Sequence, residues 1–198
     1  MDDLRKTVLQ LAKERRSIRR FSEKTIDLDK ILEILEVARH APSGINMQPW
    51  IYIVVTDTEL KERIRRDAER EEKNLRRRVS DELKRSFSEL KIQLEKSFLT
   101  EAPVLIVIAG MTSAPYWLES TWISIAYMLL SVESLNLGTL TYTPPETAFL
   151  NKLLKIPKDY TPVTILPVGI PAEKPHPNTR PRKPLEQLVH MNYYQSKE

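Results

Sequence analysis

Arg15, Arg16, Ser17 and Arg19 fall within five consecutive residues, RRSIR. Three guanidiniums and a hydroxyl at that density suit a phosphate or carboxylate, because arginine presents planar paired donors that match those anions. The same cluster would also serve as the solvated end of a helix, where cations offset the C-terminal dipole. A second polar set lies between two prolines, in PSGINMQP from Pro42 to Pro49. There Ser43, Asn46 and Gln48 offer hydroxyl and amide groups that can read the edge of a heterocycle, and the run equally fits an ordinary helix-to-strand loop. Third, TLTYTP places Thr139, Thr141 and Thr143 at alternate positions around Tyr142, as a ligand contact or as hydroxyl pairs on a sheet face. Fourth, Arg180, Arg182 and Lys183 form a basic segment near the C-terminus, either solvated or steering a polyanion.

Composition removes several chemistries. The 198 residues contain no cysteine, which excludes disulfides, thiolate metal sites, iron–sulfur clusters and a cysteine nucleophile. His40, His176 and His190 match no ligand spacing, so no metal site is expected. Four glycines, at 44, 110, 138 and 169, cannot build a Walker loop or a GxGxxG turn, so side chains must hold any phosphate. The net charge of +4 is too small to indicate a nucleic-acid binder. No apolar run approaches the ~20 residues of a membrane span, and charges throughout the first fifteen residues do not resemble a signal peptide. A cytoplasmic protein with no nucleic-acid and no membrane partner is expected.

These residues need elements to position them. Leu4, Val8, Leu11 and Ala12 recur at helical spacing, predicting a helix over 2–15 that leads into the arginine cluster. Asp27 is a plausible N-cap for a second helix, with Leu28, Ile31, Leu32, Leu35 and Ala38 on one face and Pro42 as its stop. WIYIVVT from Trp50 to Thr56 reads as a buried strand. From 57 to 96 the composition changes sharply, with 24 of 40 residues charged and a narrow stripe of Leu75, Val79, Leu83, Phe87, Leu90 and Leu94. That pattern predicts a helix pair or one long broken helix. Arg76, Arg77 and Arg78 lie there too, but 11 acidic residues in the same stretch argue against nucleic-acid binding. The sparsely charged remainder carries the core: strands over 104–109, 139–141 and 163–168, and a buried helix over about 118–135. Prolines crowd the chain after Gly169, so an extended tail is expected. One domain, 1–198, with a charged helical lobe inserted at 57–99, accounts for this organisation.

RRSIR, PSGINMQPW, TEAPVLIVIAG, LNLGTLTYTP, LPVGIP and RKPLEQ occur in this order from Arg15 to Gln187. Together they resemble the FMN-dependent nitroreductase superfamily, and within it the iodotyrosine deiodinase-like branch. The resemblance implies an α+β fold with a central mixed sheet flanked by helices, in an intertwined homodimer whose two FMN sites draw on both subunits. It matches Arg15, Arg16, Ser17 and Arg182 to the phosphate and ribityl chain, and Arg19 to the basic residue near flavin N1 and O2. Pro42, Ser43 and Gly44, with Asn46 and Gln48, match the loop that reaches a flavin across the dimer interface. Thr141, Tyr142 and Thr143 match the segment in which a hydroxyl, that of Thr143, meets flavin N5 and acts in the chemistry.

The resemblance further implies a lid whose Glu, Tyr and Lys clasp a zwitterionic amino acid. Glu71 and Lys96 fall at the Glu and Lys positions, and Leu75 stands where the branch has Tyr. The implied activity is transfer of electrons from NAD(P)H or another donor, through FMN, to a small-molecule aromatic or quinone-type acceptor. Reductive dehalogenation of a halotyrosine or halophenol, and flavin binding without catalysis, are the alternatives.

Overall fold

In a computed structural model, residues 8–80, 82–83, 85, 93–173 and 181–195 are described. Helix α1 spans Val8–Glu14 and α2 Leu28–Arg39, followed by a 3-10 turn at Gly44–Asn46 and strand β1 at Trp50–Val55. Helix α3 is Thr58–Arg78 and α4 Phe98–Glu101; β2 is Val104–Met111, α5 Trp117–Ser134 and β3 Gly138–Thr139. Helix α6, Ala148–Leu154, β4, Tyr160–Gly169, and the short α7, Leu185–Leu188, complete the chain.

The four strands form one sheet in the order β1-β2-β4-β3, and every strand pair is antiparallel. Among the described residues, parallel pairing is confined to the isolated bridge between Ser17 and Thr139, so the mixed character expected of the sheet is limited to that one contact. β2 carries the centre. Its Leu105, Val107 and Ala109 face one apolar layer with Ile64 and Ala68 of α3, Phe98 and Leu99 of α4, and Leu150 of α6. Its Val104, Ile106 and Ile108 face the other, with Ile31, Ile34 and Ala38 of α2 and Ile125, Met128 and Val132 of α5. Covered on both faces, β2 has no solvent side to encode, and its sequence is a continuous apolar run instead of an alternation. The β2–β4 register slips between Ile108 and Ala109, opposite Pro162, a residue that cannot donate to the ladder.

Several boundaries differ from the sequence expectation for local reasons. Asp27 stands at the N-cap of α2, but its side chain makes no capping bond; its carbonyl accepts from Lys30 N at 3.1 Å. Asp57 does cap α3, its carboxylate accepting from Leu60 N at 2.7 Å. α3 is a single unbroken helix that stops when Val79 turns to an extended backbone. Of the stripe beyond it, Leu83 is exposed, and Phe87 and Leu90 lie outside the described residues. The strand expected over 139–141 ends at Thr139. The tail contains the single turn α7, with no buried residue. Residues 2–7, His176 and Arg180 also lie outside the described residues.

Candidate functional site

The chain after α1 is fastened to the sheet one residue at a time. Ile18 N donates to Thr139 O at 3.0 Å, and Ser22 N donates to Ile170 O at 2.9 Å. Gly138 makes the approach possible, because a Cβ there would sit 2.9 Å from Ile18 Cγ1. Ile18 and Phe21 are thereby buried while Ser17 and Arg19 face outward. The backbone N–H of Arg19 donates to the Glu173 carboxylate at 2.6 Å, which orients the segment and leaves the guanidinium on the surface. Arg16 folds back onto α1, its Nη1 donating to Lys13 O at 2.5 Å and Arg15 O at 2.9 Å.

Arg15 is half-buried and sits beside Arg182 from the far end of the chain. Burial, then the neighbouring charge of Arg182, lowers its pKa; Glu133 opposes and Arg16 adds to the fall. Two guanidiniums brought together with Arg16 close by, against the carboxylate of Glu133, are arranged for a doubly charged anion such as a phosphate monoester. Tyr142 continues the same surface strip past β3, exchanging backbone hydrogen bonds with Ile165 at 3.0 and 2.8 Å. Its ring turns into the core, so Thr141 and Thr143 on either side face outward by the period of an extended chain. The Thr143 hydroxyl donates to Val163 O at 3.1 Å, which directs its proton to β4 and leaves its oxygen to accept.

Tyr142 is the residue of this strip that the structure turns away from a surface ligand. Its N–H and carbonyl are paired with Ile165, Thr164 Oγ1 also donates to the carbonyl at 3.0 Å, and its hydroxyl points to Glu72 Oε1 at 3.5 Å. Its polar groups are thus all engaged inside the chain.

The proline-bounded loop is pinned elsewhere. Gly44 N donates to Ser120 Oγ at 3.2 Å, and a Cβ on Gly44 would lie 2.8 Å from the Tyr116 ring at the start of α5. The Ser43 hydroxyl accepts from Gln48 N at 3.0 Å, and Gln48 Nε2 donates to Asn46 O at 3.3 Å. Ile45, Asn46 and Gln48 all have positive φ, 45°, 58° and 47°. For a β-branched, 80% exposed Ile45 this is a strained conformation of the kind found at binding sites. Among the described residues no hydrogen bond joins Pro42–Gln48 to the arginine cluster or the threonine strip. Ser120 and Tyr116, which set the loop's position, were not identifiable from sequence because both lie more than 70 residues from Gly44.

In the lobe, Glu71 pairs with Arg70 at 3.2 Å and accepts from Asn74 at 3.3 Å. Leu75 is half-buried one turn later. Lys96 is almost completely buried and pairs with Glu72, not Glu71, at 3.3 Å. The i, i+4 ladder Ile64–Ala68–Glu72 along the buried side of α3 is the sequence signal that favours Glu72 over its neighbour. Lys96 Nζ also donates to Gln93 O at 2.6 Å and stands 5.6 Å from the centroid of the Tyr142 ring, within cation–π range. Burial lowers the Lys96 pKa and Glu72 partly restores it; burial, then Glu72, pushes the Tyr142 hydroxyl up.

This architecture recurs in known proteins. The sequence matches the Nitroreductase family model over residues 12–170. The chain belongs to the nitroreductase family. It is 38% identical over 184 residues to an iodotyrosine deiodinase of Thermotoga neapolitana, covering 93% of this chain and 96% of that one. It is 35% identical over 175 residues to an iodotyrosine deiodinase of Haliscomenobacter hydrossis, covering 83% and 79%. A crystal structure of an oxidised iodotyrosine deiodinase bound to FMN and 3-iodo-L-tyrosine superposes with a TM-score of 0.88 at 39% identity, covering 95% of this chain and all of that one. A nitroreductase-type structure from Bacteroides thetaiotaomicron, at 24% identity and a TM-score of 0.73 over 94% of this chain and 97% of that one, shares the fold. The expected nitroreductase-like α+β fold is thus borne out. Among the described residues no group of side chains suits a metal ion, and no helix is long and apolar enough to cross a membrane.

Proposed function

We propose that this nitroreductase-family chain is an FMN-dependent oxidoreductase that reduces a small aromatic acceptor, a halogenated phenol of the class that includes the iodotyrosine for which its relatives are named. The observation that carries the FMN assignment is the convergence of Arg15 and Arg182 beside Ser17 and the threonine strip. That donor set fits a phosphate monoester joined to a polyhydroxyl chain and a flat heterocycle. Arg15, Arg16, Ser17 and Arg182 would hold the phosphate and ribityl end, and Arg19, Thr141 and Thr143 the ring. Bound FMN would supply a ring system able to take two electrons from NAD(P)H or another donor and give them to the acceptor.

The protein's part is positional and electrostatic. Arg19 offers a positive charge where negative charge would accumulate on reduction. The Thr143 hydroxyl, which donates to Val163 O at 3.1 Å, would have to turn that proton from β4 to serve a ring atom as donor. For a halophenol the net change replaces the carbon–halogen bond by carbon–hydrogen, consuming two electrons and one proton and releasing halide. The identities to two iodotyrosine deiodinases support this acceptor over a nitroaromatic or quinone.

The working unit we propose is a homodimer. Leu118, Trp122, Ile123 and Tyr127 of α5 and Leu28, Leu32 and Val37 of α2 leave apolar side chains 38–59% exposed, more than an isolated subunit would tolerate. Tyr193 and Tyr194, 80% exposed, call for a partner surface under the tail. In such a dimer Pro42, Ser43, Gly44, Asn46 and Gln48 would meet the flavin of the other subunit, and the lobe over 57–99 would cover the acceptor. A cytoplasmic location completes the proposal. The absorbance spectrum of the purified protein tests it first: a visible flavin band is expected, and a colourless protein that does not take up added FMN overturns it. Sedimentation at micromolar concentration should give about twice 23.1 kDa; an FMN-loaded monomer removes the dimer.

A further inference from the structure

A groove of about 510 Å³ runs between α3 and α6, with Arg63, Asp67 and Arg70 along one wall and Phe149, Lys152 and Leu153 along the other. Helical spacing puts the first three on one face of α3 and brings Lys152 and Leu153 beside Phe149 on α6. Phe149 and Leu153 also pack against the core layer that holds Ile64 and Ala68 of α3, so buried residues fix the apolar wall. The groove lies across the sheet from α2 and α5, whose exposed faces the proposed dimer would use.

Its cations differ in what they already hold. Arg70 is engaged, its Nη1 donating to Asp67 Oδ1 at 2.7 Å and its Nε to Glu71 Oε1 at 3.2 Å. Arg63 and Lys152 are exposed and, among the described residues, make no hydrogen bond or ion pair. Three cations therefore face one lining carboxylate beside an aromatic ring and a leucine. We propose that the groove is a binding site for an aryl carboxylate, its anionic end drawn to Arg63 and Lys152 and its ring lying against Phe149 and Leu153. Arginine meets a carboxylate with two parallel N–H donors, the apolar wall favours an aromatic body that an inorganic anion lacks, and the volume is that of a small-molecule site. Asp67 opposes such a ligand twice, by its own charge and by occupying Arg70. The site shares no residue with the proposed FMN site and does not depend on it.

The test titrates 2-naphthoate into purified protein by calorimetry with FMN present, following the flavin absorbance in parallel. Saturable binding with an unmoved flavin spectrum is expected; no saturable heat, or heat that tracks a change in the flavin spectrum, overturns the proposal. Arg63→Gln combined with Lys152→Gln should weaken binding at least about fivefold, and the uncharged 2-naphthamide should bind wild type more weakly by at least that factor. Asp67→Asn should tighten binding, a gain that damage to the fold does not produce. Lys24→Gln combined with Lys30→Gln removes the same charge from exposed positions at the start of α2 and should leave affinity unchanged. Equal affinity after loss of Arg63 and Lys152, equal affinity for the amide, no gain in Asp67→Asn, or equal weakening by the Lys24 and Lys30 pair each overturns the proposal.

Discussion

Two cations, the half-buried Arg15 and the buried Lys96, are arranged in opposite ways. Around Arg15 the chain gathers more positive charge, from Arg182 and Arg16, against one nearby carboxylate, Glu133. Around Lys96 it gathers Glu72 and Glu69, a backbone carbonyl and an aromatic face, which outnumber the one further cation there, Arg76. The first arrangement costs free energy unless an anion arrives; the second is complete without one. A lysine or arginine at a matched position is therefore weak evidence of a ligand contact until its internal counter-charges are known.

The sharpest way to break this contrast is to remove each cation from FMN-free protein. Lys96→Met strands Glu72 in a buried site and should cost about 3–5 kcal/mol of stability. Arg15→Ala relieves like-charge crowding and should alter stability by no more than about 0.5 kcal/mol. Chemical denaturation of both variants measures this, and equal destabilisation would erase the distinction. A smaller effect sharpens it from the ligand side. Arg15→Ala and Arg182→Ala should each weaken FMN by about 10- to 100-fold, the loss of a charge-assisted phosphate contact worth about 1.5–3 kcal/mol. Unchanged FMN affinity in both variants, measured by equilibrium dialysis, would leave the arginine cluster without its proposed ligand.

The smallest effect concerns acid. Burial acts to raise the Glu69 carboxyl, but the Lys96 N–H and the Arg65 guanidinium outweigh it and hold the pKa below the ordinary 4.5. A depressed carboxyl stabilises the folded state above its unfolded pKa, and that contribution is lost as pH falls through the folded value. Denaturation midpoints should therefore fall less steeply below pH 4.5 in Glu69→Gln than in wild type. Identical acid limbs would detach Glu69 from the Lys96 cluster.

Much of the fold was legible because its signals are local. The apolar runs at Trp50–Val55 and Val104–Met111 survive in the tertiary structure nearly where periodicity places them, whereas the face expected of α2 is only partly right: Ile31 and Ala38 are buried with Ile34, and Leu28 and Leu32 are exposed. α6 passed unnoticed, since seven residues barely make two turns and carry little periodic signal. In the candidate site, Arg15–Arg19 and Thr139–Thr143 stand out by composition. Their adjacency does not: it depends on the single bridge from Ser17 to Thr139 and on the absence of a side chain at Gly138. The pairing of Lys96 with Glu72 has the same origin, since one step along a helix turns a side chain by about 100°, and only the packing of α3 decides which of two neighbouring carboxylates faces Lys96.

The sequence by itself determined which chemistries were open to this protein. With no cysteine and four glycines, it had to hold an anion with arginines, and six ordered blocks pointed to the family. Tertiary structure decided which cations remain available for a ligand and which are satisfied within the chain. That outcome depends on separations of a few ångströms between residues far apart in sequence, and at such range electrostatics is set by which neighbours are buried together, a property that no stretch of the chain carries alone.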